Sequence, residues 1–219
     1  MADKARLRRK DIKQPDEFIT LTGHGLTWAR QHQQWVVGGG AALLAILLAI
    51  AIASAYRGSR ERDANADLAR ALTKLGSNDA AAATELIAVA NRWEGTGVAP
   101  VAALLGANAA ISAGDSDQAI GELTRLQGQT AALPSYLQQQ LLLAWGSALE
   151  GKQQWLDAAA KYKEAAALSG PYTGDAVLGE ARTRELGGEA DRARELYRQA
   201  YDQFPDLPDR ELVAIKLQP

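Results

Sequence analysis

No cysteine occurs in this chain of 219 residues, which also holds only 2 histidines, 2 phenylalanines and 1 methionine, with aromatics at 6%. Without cysteine there is no disulfide, thiolate zinc site, cysteine nucleophile or lipid-bearing lipobox cysteine. Both histidines, His24 and His32, precede the long apolar run described below. The larger C-terminal part therefore has no residue for a Ser-His-Asp triad, a zinc centre or a histidine base. Few aromatics beside a hydrophobic fraction of 47% carried by Ala and Leu argue against a β-sandwich and for an all-α protein. The length fits one domain, or one domain with an appendage.

Charge is scarce in a different sense: the net value is only -2, and it hides a split. Residues 1–34 hold seven Lys and Arg against four Asp and Glu, whereas residues 57–219 are acidic overall. The large part thus lacks the concentrated basic face that neutralises phosphates, which excludes nucleic acid as the expected partner. Carboxylates such as Glu180 and Glu185 stand beside Arg182 and Arg184, a pattern that solvated ion pairs explain without catalysis. Glycine clusters occur at residues 38–40 and 187–188, and neither leads to the Lys-Ser/Thr of a phosphate loop. No enzyme activity, cofactor or metal is expected. His24, between Gly23 and Gly25, reads as a bend in the tail, and Trp28 and His32 read as interfacial.

What the chain does have is a run of uncharged residues from 36 to 55, framed by Trp35 and Tyr56. At about 1.5 Å per residue it is roughly 30 Å long as a helix, the hydrocarbon thickness of a bilayer. Ala53-Ser54-Ala55 has the small-x-small form of a signal-peptidase site. The run is nevertheless longer than the apolar core of a signal peptide and follows a 34-residue segment, so an uncleaved anchor is expected. Three regions follow: a basic tail over 1–34 with room for an amphipathic juxtamembrane helix, a transmembrane anchor over 35–56, and a domain over 57–219. Charge leaves the orientation open. The tail is basic at its far end (Lys4, Arg6, Arg8, Arg9, Lys10, Lys13) but offers only Arg30 near the membrane, while Arg57, Arg60, Arg62, Arg70 and Lys74 follow the span. Within the span, Ala41, Ala45, Ala49 and Ala53 recur every four residues, with Gly38 one turn earlier, making a ridge where another helix could approach.

Beyond residue 60 the chain repeats itself. The small residues Ala119, Ala158 and Ala193 lie 39 and 35 positions apart, and twelve positions before each is another small residue: Ala107, Gly146 and Ala181. Two antiparallel helices approach closely only where bulk is missing, and the Leu or Tyr four residues later (Leu123, Tyr162, Tyr197) fills the adjoining space. A weaker copy has Ala71 and Ala83, then Ile87 and Ala90. In two copies the pattern resembles tetratricopeptide repeats: Gly146, Trp155, Ala158, Tyr162 and Ala165, and Ala181, Gly188, Ala193, Tyr197, Ala200 and Pro205. Together with the apolar run, the resemblance gives an all-α expectation: a single transmembrane helix followed by an irregular tetratricopeptide-like α-solenoid of about four hairpins. A capping helix over 208–217 would close it through Leu212, Val213, Ile215 and Leu217.

In such hairpins the first helix usually lines the concave face, which here means segments 98–113, 135–149 and 175–186. These offer Tyr136, Gln138, Gln139, Leu142, Arg182 and Glu185 as a groove for peptide, while Trp145 and Trp155 are expected to pack inward. The layout as a whole resembles the tetratricopeptide-like ancillary subunit of the bacterial Sec translocon, although the segment Gln14-Pro15-Asp16-Glu17-Phe18 makes a longer tail than that family's. The resemblance implies an inner-membrane protein with its N-terminus cytoplasmic and its repeat domain periplasmic. Its partners would be the translocation channel, periplasmic chaperones or extended polypeptides. Two other readings fit the same layout: a scaffold for envelope assembly or cell division, and a membrane-bound regulator whose tail binds a cytoplasmic factor.

Overall fold

The computed structural model describes residues 31–128, 133–207 and 209–218. The expectations for the tail up to Arg30, including the bend at His24 and the interfacial Trp28, lie outside the described residues, as does the start of the capping segment at Pro208. Among the described residues the chain is all-helical, with nine helices and no strand. Its described residues divide into two units, one up to Tyr56 and one from Arg57 onward.

Helix α1 spans Gln33–Leu72. In the first unit it carries the apolar run, whose most apolar 18-residue window has a mean hydropathy of 2.6 and no buried side chain. Leu44, for example, is 68% exposed. This is one helix long and apolar enough to cross a membrane. The hydroxyl of Ser54 donates to the Ala51 carbonyl at 2.8 Å, so the most polar side chain of the run is satisfied within its own helix.

In the second unit the end of α1 is followed by α2 (Asp79–Arg92), α3 (Val98–Ser112), α4 (Ser116–Gln127), α5 (Ser135–Gly151), α6 (Trp155–Ala167), α7 (Thr173–Leu186), α8 (Ala190–Gln203) and α9 (Arg210–Lys216). From α2 onward neighbouring helices pack on one another, α3 also meets α5, and α5 meets α7. The helix ends are written in the sequence. Asn78 and Asp115 cap α2 and α4 by accepting from Ala81 N at 3.0 Å and Gln118 N at 2.9 Å. Helix α3 closes with Gly114 at φ 82°, where Gly114 N donates to Ile111 O and Asp115 N to Ala110 O. That pair of bonds needs a left-handed residue. Gly188 closes α7 in the same way, at φ 86°. Between them, in register, the same turn after α5 places Gln153 at φ 58°.

The repeated small residues meet where close approach requires them. Ala71 and Ala83, Ala107 and Ala119, Gly146 and Ala158, and Ala181 and Ala193 are all buried. Leu123, Tyr162 and Tyr197 are buried beside them. Tyr162 shows why glycine is used. A Cβ at Gly146 would stand 2.7 Å from the Tyr162 ring, and one at Gly179 would stand 2.8 Å from it, so the ring lies between two bare stretches of backbone. The inward expectation for Trp155 is corrected: it is the first residue of α6 and is only half-buried. Trp145 is also half-buried and packs on the core, with the Lys161 ammonium 4.8 Å from its ring centre. Val213 of α9 is buried against α7 and α8, while Leu212 is 55% exposed.

Candidate functional site

Helices α3 and α5, the first helices of two successive hairpins, leave an open groove of about 380 Å³ between them. Val101, Leu104, Leu105 and Asn108 line one wall, and Leu137, Gln140, Leu143, Ala144 and Ser147 line the other. Both sets follow the one-face spacing of a helix. Tyr172, just before α7, closes the end, held by Gln140 Nε2 donating to its hydroxyl at 2.6 Å. The lining is apolar with amide and hydroxyl groups, a surface that fits backbone and aliphatic side chains.

The repeat spacing carries these walls onward. Thirty-nine positions lead from Leu104 to Leu143, thirty-five more to Leu178, and thirty-four more to Leu212. The same steps relate Val101, Gln140, Asp175 and Asp209 on one flank of that leucine row, and Asn108, Ser147, Arg182 and Lys216 on the other. Leu178, Arg182, Tyr197, Asp209, Leu212, Val213 and Lys216 line a small hollow where α7, α8 and α9 come together, so Asp209 shares it with both cations. Asp175 lines a further hollow with Pro171, Phe204, Pro205, Asp206 and Leu207. Along the register the first-helix surface is apolar and neutral at α3 and α5, then charged on both flanks at α7 and α9.

The charges on the two flanks differ in how they are satisfied. Glu150 accepts from the Tyr162 hydroxyl at 2.5 Å and from Arg182 Nη2 at 2.6 Å. One repeat later, Glu185 accepts from the Tyr197 hydroxyl at 2.8 Å and from Lys216 Nζ at 2.7 Å. Burial, and then the carboxylate at its hydroxyl, push both phenols well above the ordinary tyrosine value. The Lys216 bond holds the Glu185 carboxyl below its usual range. Asp67 of α1 is likewise held low, first by the Trp93 indole N–H at 2.9 Å and also by Arg92 Nη1 at 3.0 Å. Asp175 goes the other way. Burial raises its carboxyl, and the Asp209 charge adds to the rise.

The residues expected in the groove are placed as follows. Tyr136 is exposed on the first turn of α5 but does not line the groove. Gln138 bonds the Leu133 carbonyl at 2.8 Å, and Leu142 packs half-buried on the core. Gln139 is fully buried, which corrects its assignment to the groove. Its amide donates to Leu168 O at 2.6 Å and to Ala165 O and Thr173 Oγ1 at 3.2 Å, and its oxygen accepts from Tyr172 N at 3.3 Å. The reason is legible afterwards: Gln139 is two turns before Gly146 and so shares the face turned to α6. Arg182 and Glu185, one turn apart on α7, are used in the Glu150 and Lys216 bonds described above. Of the α5 residues, the groove wall is Leu137, Gln140, Leu143, Ala144 and Ser147, about one position away from those expected. In the first unit Gly38, Ala41, Ala45, Ala49 and Ala53 are all exposed. No protein-family model, curated protein or solved structure matches this chain.

Proposed function

We propose that this protein is a membrane-anchored protein–protein interaction module in which tetratricopeptide-like hairpins hold a polypeptide in the groove between α3 and α5. The observation that carries this reading is the groove itself: two first helices of successive hairpins, side by side, presenting an apolar wall with a few amides. The apolar segment of α1 supplies the anchor in this proposal. The resemblance in layout to the ancillary subunit of the Sec translocon then makes three partners the first to test: the translocation channel, periplasmic chaperones and extended polypeptides emerging from the channel. The same resemblance puts the N-terminus in the cytoplasm of a bacterial cell and the hairpins in the periplasm.

The test is site-specific crosslinking in native membranes, with a photoreactive residue at Gln140 in the groove and a control at Asp157 on α6. Crosslinks from position 140 to channel subunits, chaperones or translocating chains, absent at 157, are the expected result. Crosslinks to division or outer-membrane assembly proteins instead would move the reading to an envelope scaffold. Protease added to intact spheroplasts should remove the hairpin domain, and full protection would overturn the orientation.

A further inference from the structure

The end of α1 and helix α2 leave a second open groove of about 360 Å³, separate from the one between α3 and α5. Asp67, Arg70, Ala71 and Lys74 form one wall, and Glu85, Ala88, Val89 and Arg92 the other. Each set has the one-face spacing of a helix, so the groove follows both helices for two turns. Its place in the repeat shows what this face meets elsewhere. Thirty-six positions after Asp67, Arg70 and Lys74 stand Ala103, Gly106 and Ala110 of α3, all buried. A Cβ at Gly106 would stand 2.9 Å from Cγ1 of Ile87 on α2, so this face of α3 is where the second hairpin stacks on the first. The wall residues of α2 lie on the far side of that helix from Ile87. In the first copy the stacking face is therefore uncovered among the described residues, and the Arg70 side chain is 77% exposed.

The floor of this face is apolar, with Ala71, Ala88 and Val89, but its rim is charged. The Asp67 side chain is nine-tenths buried and accepts from the Trp93 indole N–H at 2.9 Å, from Arg92 Nη1 at 3.0 Å and from Arg70. One carboxylate is thus shared by two guanidiniums. Lys74 pairs with Glu85, so three cations in the groove stand against two carboxylates. The excess is local. Residues 57–92 hold six Lys and Arg against five Asp and Glu, whereas residues 93–219 hold eleven against seventeen.

We propose that this face takes a helix of a partner protein, with Glu or Asp flanking a narrow apolar stripe. The stripe lies over Ala71, Ala88 and Val89 and continues the helix-on-helix stacking that α3 makes on α2, while a carboxylate on its flank meets the outward N–H groups of Arg70 and Arg92. Asp67 already orders both guanidiniums, so less side-chain freedom is lost when the ligand arrives. A helix with basic flanks meets repulsion at the same place. This surface does not depend on the groove between α3 and α5 and would give the domain a second docking site.

The experiment uses the full chain in detergent micelles and two fluorescent, helix-forming peptides. Both have the same Ala- and Leu-containing stripe, flanked by Glu in one and by Gln in the other, and binding is read by anisotropy. The Glu peptide should bind about fivefold more tightly than the Gln peptide at low salt, and the difference should shrink as salt rises. In Arg70→Gln, whose melting curve confirms folding, the two should bind alike. Ala88→Trp, at an exposed position of the groove, should abolish binding of both, and Gln140→Trp in the other groove should change neither. Equal binding of the two peptides by the wild type, or a preference that survives in Arg70→Gln, overturns the charge assignment. Absence of binding, or binding indifferent to Ala88→Trp, overturns the site. Loss in Gln140→Trp alone would assign the peptide to the α3–α5 groove and overturn the site while supporting that reading. Self-association that the Glu peptide does not displace, and that Ala88→Trp abolishes, would put a second copy of the chain on this face in place of a partner.

Discussion

The hairpin of α3 and α4 and the hairpin of α5 and α6 follow one register yet are locked by different chemistry. In the first, Ile111 and Leu123 stand four residues after the small positions Ala107 and Ala119, and both pack in the apolar core. In the second, the same two places hold Glu150 and Tyr162, joined by a hydrogen bond. The hairpin of α7 and α8 repeats the second solution with Glu185 and Tyr197. An apolar pair tolerates sliding by a fraction of a turn, because dispersion and burial are non-directional. A phenol wedged between glycines and tied to a carboxylate fixes one geometry. The molecule thus uses volume to hold one hairpin and direction to hold the next two.

The largest effect that separates these solutions should come from Tyr162→Ala. It removes a buried ring from between Gly146 and Gly179 and is expected to cost about 3–5 kcal/mol, read as a fall in melting temperature of the full chain in micelles. A loss under 1 kcal/mol would mean that the ring is not the lock. Grafting the second solution onto the first comes next. Leu123→Tyr should cost about 2 kcal/mol, because Ala107 has the Cβ that Gly146 lacks, and adding Ala107→Gly should recover part of it. If the double variant is no more stable than the single one, the pairing of glycine with tyrosine is incidental.

Tyr162→Phe keeps the ring and deletes the bond to Glu150, at an expected cost of about 1.5 kcal/mol in urea unfolding. The turn glycines offer a change of opposite sign. Gln153 holds the left-handed position that Gly114 and Gly188 hold in the other two copies. Gln153→Gly should therefore stabilise by about 1 kcal/mol, and an unchanged midpoint would show the turn to be unstrained. The smallest effect is pH-dependent. The folded state raises the Asp175 carboxyl above its unfolded value, so the ionised form is disfavoured in the fold. Stability is thus reduced at every pH above the folded value and unaffected below the unfolded one. Asp175→Asn should raise the melting temperature slightly at pH 7 and leave it unchanged at pH 3.

How much of this was legible can be argued from single positions. The hairpin partition was, because Ala107, Gly146 and Ala181 sit twelve residues before Ala119, Ala158 and Ala193, and all six are buried. The apolar run was, because twenty uncharged residues leave a helix no polar face. The groove wall was missed by about one position on α5. Periodicity alone fixes the direction of a helix face only to within a neighbour, and on α5 it is Gly146 that marks the face turned to α6. Gln139 looked like a surface amide and is a buried clamp on the turn before α7. The tie from Glu150 to Tyr162 was hidden because it joins two helices; its only trace is the recurrence of Glu and Tyr twelve apart at 150 and 162 and again at 185 and 197.

The ion pairs between hairpins also run in time. Glu150 takes its phenol from Tyr162, 12 residues on, but its cation from Arg182, 32 residues on. Glu185 takes Tyr197 after 12 residues and Lys216 after 31, and Asp117 waits 35 residues for Lys152. At a synthesis rate of roughly 5–20 residues per second, each hairpin's own chain is complete about one to four seconds before its forward cation has been made. It receives its forward cation only after one more hairpin has been made. Chain order therefore sets the earliest moment at which each carboxylate can meet its cation, one hairpin after it has met its phenol.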